Sequence, residues 1–308
     1  MTNNTADKTE FIPPIGSFQE VDGHRLFVHQ EGDGGPAVVF LPGASAVGLD
    51  YLHLQQRVAQ FTTSVVYDRG GTGYSELLPL PRSGEEVATE LLHLLRAQGI
   101  PGPYVLVAHS LGGGYAQRFT QLFPAEVAGL VWLDALHSDW DKYAPPEGSL
   151  AASAQMAPSL EQVRELRPAL RAMGDTLFAL HPADVREALT EAHLSDEWLE
   201  IGFLERGEHM AALAEELKPG PGFPDVPLIA LTVEGTPDAA DEAMLPEHLE
   251  LVRKAREGKK HLDQALVSTV TRGEHRVLEA GHTFLLVEAA DEVVQAIHDV
   301  VDWARDPR

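Results

Sequence analysis

Short apolar runs rich in β-branched residues recur along the chain, most of them followed by a stretch with helical apolar spacing. The runs predict strands at 37–41, 63–67, 104–108, 129–134, 228–233 and 275–279. The periodic stretches predict helices near 49–60, 84–98 and 113–123, and a last one near 291–304. Phe18–Val21 and Arg25–Val28, joined through Asp22-Gly23, predict an opening hairpin. Ser83-Gly-Glu-Glu86 spells a capping box, in which the serine accepts from a first-turn amide while Glu86 reaches back. Leu91, Leu92, Leu94 and Leu95 supply that helix's apolar stripe, Gly99 ends it, and Pro101 lies beyond. Strands alternating with helices imply an α/β protein with a mostly parallel sheet covered on both faces.

The alternation fails between Asp134 and Val226. No convincing strand occurs there, but amphipathic stretches at 159–174, 182–194, 196–206 and 208–218 predict helices. Pro145-Pro146 opens this region and Lys218-Pro-Gly-Pro-Gly-Phe-Pro224 closes it, both loop signals. Its large apolar residues, Met156, Met173, Phe178, Trp198, Phe203 and Met210, are spaced to form a small core of their own or to line a pocket.

Composition narrows the function. A chain of 308 residues that is 44% hydrophobic can bury a large core, as one large domain or two. With no cysteine, disulfides, thiolate nucleophiles and cysteine-ligated zinc are excluded. Acidic residues number 47 against 23 basic ones, a net charge of −24 that would repel nucleic-acid phosphates and serves solubility. The first ten residues are polar, without the basic and apolar regions of a signal peptide, and no apolar run approaches the roughly 18 residues of a membrane span. The expectation is a soluble cytoplasmic protein, a monomer or homodimer, that meets neither nucleic acid nor membrane.

The candidate chemistry centres on Tyr104-Val-Leu-Val-Ala-His-Ser110-Leu-Gly-Gly-Gly114, where an apolar strand meets a serine and a helix follows at once. A nucleophilic serine needs that setting: the turn holds Oγ clear of the backbone, and the helix N-terminus offers amides to a developing oxyanion. Small residues at Ala108 and Gly112 suit a turn at which strand and helix almost touch. The spelling is A-x-S-x-G, one residue away from the G-x-S-x-G nucleophile elbow.

These residues resemble the α/β-hydrolase superfamily, and three further segments agree in order. Val38-Val-Phe-Leu-Pro-Gly-Ala44 resembles the family's strand and oxyanion loop, with Pro42 in place of the usual histidine. Tyr67-Asp-Arg-Gly-Gly-Thr-Gly-Tyr-Ser75 resembles its D-x-R-G-x-G-x-S loop, and Val277-Leu-Glu-Ala-Gly-His282 its last strand and catalytic histidine loop. The likeness runs from about Gly16 to Trp303. It implies an eight-stranded sheet, with 1–15 a disordered lead-in, 16–140 and 224–308 the core, and 141–223 a helical cap inserted after the sixth strand.

The resemblance implies roles. Ser110 would be the nucleophile, His282 the base, and the backbone amides of Ala44 and Leu111 the oxyanion donors. His109, beside the serine, matches the family's H-S-L-G-G spelling and is expected to pack and hydrogen-bond. The acid falls at Asp134, after the sixth strand, or at Asp238 in Gly235-Thr-Pro-Asp238, after the seventh. Asp134 is favoured because it ends an uninterrupted apolar strand, whereas Asp238 sits among Glu234, Asp241 and Glu242. The tail segment Leu262-Asp-Gln-Ala-Leu266, followed by Arg272–His282, also resembles that of hydrolases carrying a D-x-x-H-x-D sequence after the sixth strand. Asp68 and Arg69 are expected to be a loop-fixing pair.

A serine at the elbow excludes the branches that need a carboxylate there, haloalkane dehalogenases and epoxide hydrolases. The expected activity is hydrolysis of a carboxylic ester or lactone of a small to medium apolar acyl substrate. Alternatives are a proline-iminopeptidase-like aminopeptidase using Glu205 or Glu208 for the substrate amine, a perhydrolase or carbon–carbon bond hydrolase, and a hydrolase-like receptor with little turnover. No cofactor or metal is expected: the glycine clusters lack both phosphate-loop spellings and the 14 histidines form no H-E-x-x-H.

Overall fold

The structure, a computed structural model, describes residues 11–235 and 249–306. Asp238 therefore lies outside the described residues. Eight strands form one sheet: β1 (Ser17–Val21), β2 (His24–Glu31), β3 (Val38–Leu41), β4 (Ser64–Tyr67), β5 (Tyr104–His109), β6 (Val127–Leu133), β7 (Leu228–Val233) and β8 (Gly273–Leu278). Their order across the sheet is β1-β2-β4-β3-β5-β6-β7-β8. The opening hairpin pairs antiparallel, β2 joins β4 antiparallel, and every other pairing is parallel.

The central strands are apolar throughout because both faces are covered. On β5, Val105 and Val107 belong to the same core cluster as Leu52, Leu54 and Val58 of α1 (Leu52–Val58). Leu106 and Ala108, alternating with them, face Leu91 and Leu95 of α2 (Gly84–Ala97) and Ala116 and Phe119 of α3 (Gly112–Leu122). The Ser83 capping box is present at the start of α2, and Gly99 follows its end at φ +68°.

Between β6 and β7 the chain forms α4 (Trp140–Tyr143), α5 (Leu150–Met156), α6 (Leu160–Glu165), α7 (Arg167–Leu177), α8 (Ala183–His193), α9 (Asp196–Leu204) and α10 (Glu208–Leu217). The expected helix at 159–174 is two helices, since Pro168 fits the first turn of a new helix better than the interior of an old one. Phe178 and Trp198 are buried here, whereas Phe203 is exposed. Phe11 meets Trp198 edge-on at 5.8 Å between ring centroids. After β7 come α11 (Leu249–Val267), then β8, α12 (Leu285–Glu288) and α13 (Ala290–Arg305), whose Val293, Ile297, Val300 and Val301 close the α1 side of the sheet.

Parallel strands end on a common edge, and this positions the chemistry. Leu41 pairs with Ala108, and His109 with Leu133, so Pro42, Ser110 and Asp134 follow closely placed strand ends. Truncating a buried side chain on the opposite layer tests this frame. Ile297→Ala should cost about 2–5 kcal/mol of unfolding free energy in urea melts, through lost contact and the cavity left behind.

Candidate active site

Ser110 sits in the turn between β5 and α3 with φ +50°, a left-handed conformation that costs a side-chain-bearing residue energy and turns Oγ out of the strand. Its amide donates to Leu133 O at 3.3 Å, and its carbonyl accepts from Gly113 at 2.9 Å and Leu136 at 2.7 Å. The sharpness depends on Gly112, where an added Cβ would stand 2.1 Å from Leu41 O. That is the physical reason for the small residue after the serine.

Asp134, one residue past β6, also has positive φ (+44°), and its amide donates to Leu231 O at 2.8 Å. The turn aims its carboxylate at the loop after β8, where Asp134 Oδ2 lies 2.5 Å from His282 Nδ1. An ionised carboxylate only accepts, so Nδ1 carries the proton. Burial pushes the Asp134 carboxyl up, but the hydrogen bond and charge of His282, with Lys259 beyond, bring it down to about 2. The His282 loop is held in turn: Gly281 N–H donates to Glu288 Oε2 at 3.0 Å, and Leu285, fully buried, donates its amide to Gly281 O at 2.9 Å.

His109 forms a link between loops. Gly43 N–H donates to Tyr51 Oη at 3.2 Å, and the Tyr51 hydroxyl must then donate to His109 Nδ1, 2.7 Å away. His109 Nε2–H donates to the carbonyl of His282 at 3.1 Å. The ring is therefore the neutral Nε2–H tautomer. Burial, followed by the nearby His282, pushes its pKa down to about 3. His109 and His282 stack obliquely with centroids 5.1 Å apart, so the base candidate lies beside the residue preceding Ser110.

Pro42-Gly43-Ala44 runs past the serine: a Cβ on Gly43 would come within 3.0 Å of Ser110 Cβ. Among the described residues, no hydrogen bond uses the amide of Ala44 or of Leu111. Asp68 and Arg69 act separately instead of pairing. Asp68 accepts from the amides of Gly48 at 2.6 Å and Tyr74 at 2.8 Å, tying two loops together. Arg69 donates to Pro42 O at 2.7 Å and Gly43 O at 3.1 Å, and forms a buried ion pair with Glu205 at 2.5 Å. Glu205 Oε2 accepts from Ser45 N–H at 2.9 Å, so both of its oxygens are engaged within the protein. Glu208, the other amine-holding candidate, is exposed.

Tyr51, Glu288 and the ion pair of Lys259 with Asp263 carry no motif. The last follows i,i+4 spacing on α11, is buried, and has Asp263 accepting also from Thr232 at 2.7 Å. Only that spacing could have flagged it. Among the described residues no group of His, Asp and Glu is arranged to hold a metal ion, and no helix is long and apolar enough to cross a membrane.

A carboxyl held below its unfolded value stabilises the fold once ionised, and that contribution fades as pH falls from about 4 toward 2. Wild type should therefore exceed Asp134→Asn in stability by on the order of 2 kcal/mol near pH 5, and denaturant melts should show the gap closing as pH approaches 2.

The model of the alpha/beta hydrolase family matches residues 38–296. An esterase from Thermogutta terrifontis superposes with a TM-score of 0.61 at 19% identity, over 94% of this chain and 97% of that one. An esterase from Exiguobacterium antarcticum does so at 0.64 and 16%, over 94% and 100%. Est816, an N-acyl homoserine lactone degrading enzyme, gives 0.55 and 20%, over 92% and 100%. By sequence, the protein YbdG of Bacillus subtilis (strain 168) is 31% identical over 121 residues, which are 39% of this chain and 37% of YbdG. The chain thus spans little more than a third of that relative. With the family's residues matched from the third strand into the last helix, the chain belongs to the alpha/beta hydrolase family of enzymes.

Proposed function

We propose that Ser110, His282 and Asp134 are a catalytic triad that hydrolyses a carboxylic ester or lactone of small to medium apolar acyl character. The 2.5 Å contact of His282 Nδ1 with Asp134, beside the strained turn at Ser110, carries this reading. With Nδ1 committed to the carboxylate, proton transfer falls to His282 Nε2. Ser110 Oγ attacks the acyl carbon while Nε2 takes its proton, and the oxyanion forms against the amides of Ala44 and Leu111. Collapse expels the alcohol, which receives the proton back from His282. Water then attacks the acyl-enzyme with the same imidazole as base, releasing the acid and restoring the serine. Asp134 stays ionised throughout, in keeping with its depressed pKa.

The helices α4–α10, residues 141–223 with their flanks, act in this reading as a cap above the reacting centre. The esterase and lactone-degrading neighbours share the fold and suit the same chemistry. The aminopeptidase alternative loses support because Glu205 is spent on Arg69 and Ser45.

Ser110→Ala should abolish turnover of p-nitrophenyl acetate and labelling by a fluorophosphonate while the circular dichroism spectrum is unchanged. Labelled wild type with the adduct at another residue would remove the serine from the scheme. Asp134→Asn should lower kcat by roughly 1000- to 10,000-fold, because the imidazole loses its fixed tautomer and its charge partner. The rate of wild type should fall on acidification as His282 takes up a proton and stops acting as base. A profile flat from about pH 8 to pH 5 would argue against that role.

A further inference from the structure

We propose that the Arg69–Glu205 ion pair is a positioning device for the oxyanion loop, aiming the Ala44 amide at the reacting carbonyl only while the helix carrying Glu205 is docked. The inference rests on the proposed hydrolytic reading of Ser110 and adds a dependence that the triad does not require. Both side chains are almost wholly buried, at 2% and 3% exposure. Burying a charge pair is expensive, and apolar replacements of such pairs are often as stable or more so. Stability alone therefore gives little reason for this one.

Its contacts supply the reason, because they converge on one short loop. Arg69 holds the carbonyls of Pro42 and Gly43. Its Nε and Nη2 both donate to Glu205 Oε1, at 3.2 and 2.5 Å, and its guanidinium lies 5.1 Å from the centre of the Tyr115 ring. Glu205 Oε2 takes the Ser45 amide at 2.9 Å, and Tyr51 takes the Gly43 amide at 3.2 Å. The residues on either side of Ala44 are thus pinned by side chains from distant parts of the chain. The peptide between them is left with one orientation for its N–H.

Ser45 is also strained. Its φ of +64° is a conformation that glycine would adopt at no cost. Helix α9 abuts it so closely that a Cβ on Gly202 would stand 2.1 Å from Ser45 Oγ and 2.7 Å from its Cβ. Between loop and helix lies a cavity of about 10 Å³, bordered by Ser45, Val47, Thr72, Trp198 and Glu205, with room for one water molecule at most. A shift of α9 would be transmitted to the loop rather than absorbed.

The test compares full-length wild type with Glu205→Ala, Glu205→Gln and Gly202→Ala. The readouts are kcat and KM on p-nitrophenyl acetate, the rate of fluorophosphonate labelling, and the thermal midpoint. The expected result is a 10- to 100-fold loss of kcat in Glu205→Ala and Gly202→Ala, with KM within about threefold of wild type. Labelling should slow in proportion, since the phosphoryl oxygen occupies the same donors. Glu205→Gln keeps one acceptor oxygen for Ser45 N–H but turns its amide N–H toward the donors of Arg69, so its kcat should fall between those of Glu205→Ala and wild type. If Glu205→Ala does not fold, Gly202→Ala decides, because it leaves the ion pair's own atoms intact. Variants with a lower midpoint but wild-type kcat per labelled serine would reduce the pair to a structural tie and overturn the inference. A raised KM at unchanged kcat would move Glu205 to substrate binding and overturn it as well. A wild type that takes no label would bring down the hydrolytic reading itself, and this inference with it.

Discussion

The register between β5 and β6 is the constraint on which the rest depends. His109 pairs with Leu133, and the ladder continues one step beyond the strands as Ser110 N–H reaches Leu133 O. The two residues that follow, Ser110 and Asp134, both turn left-handed at once. A slip of one position would send every side chain of β6 to the opposite layer, into space packed for a neighbour of different volume. The apolar residues on both faces prevent it, so the core fixes the spacing of the two groups at the edge. Precision at the site is inherited from packing far below it.

Fine geometry comes from polar ties that cross between loops. Tyr51 and His109 join the loop after β3 to the loop after β8, Asp68 joins Gly48 to Tyr74, and Glu288 closes the turn before His282. Each tie satisfies a backbone group that would otherwise be buried without a partner, at a cost of about 1–3 kcal/mol. The same ties that satisfy these groups fix the shape of the sheet edge.

What was legible in the sequence followed from periodicity and spelling. Strand and helix spacing places most described core elements within a few residues, though α11 (Leu249–Val267) is not among the helices it predicts, and A-x-S-x-G marks the turn because Gly112 has no room for a side chain. Asp134 was legible as the end of an apolar strand, and it lies against His282. Glu205 is legible as an acid between the sixth and seventh strands, but its partners are not. A contact between residues 136 positions apart leaves no local pattern, and the apolar run before Glu205 only hints that its carboxylate faces inward. Tyr51 and the Lys259–Asp263 pair were hidden for the same reason. The split of α6 from α7 was present in Pro168, which a periodic reading runs straight through.

Two imidazoles lie 5.1 Å apart, and one of them, His109, is held in its neutral form. His109 has its lone pair spoken for by a phenol and its hydrogen by a carbonyl, so charging it would mean breaking a bond it already makes. His109 is thereby fixed as a neutral spacer between the loop after β3 and the loop after β8, holding their separation without carrying charge.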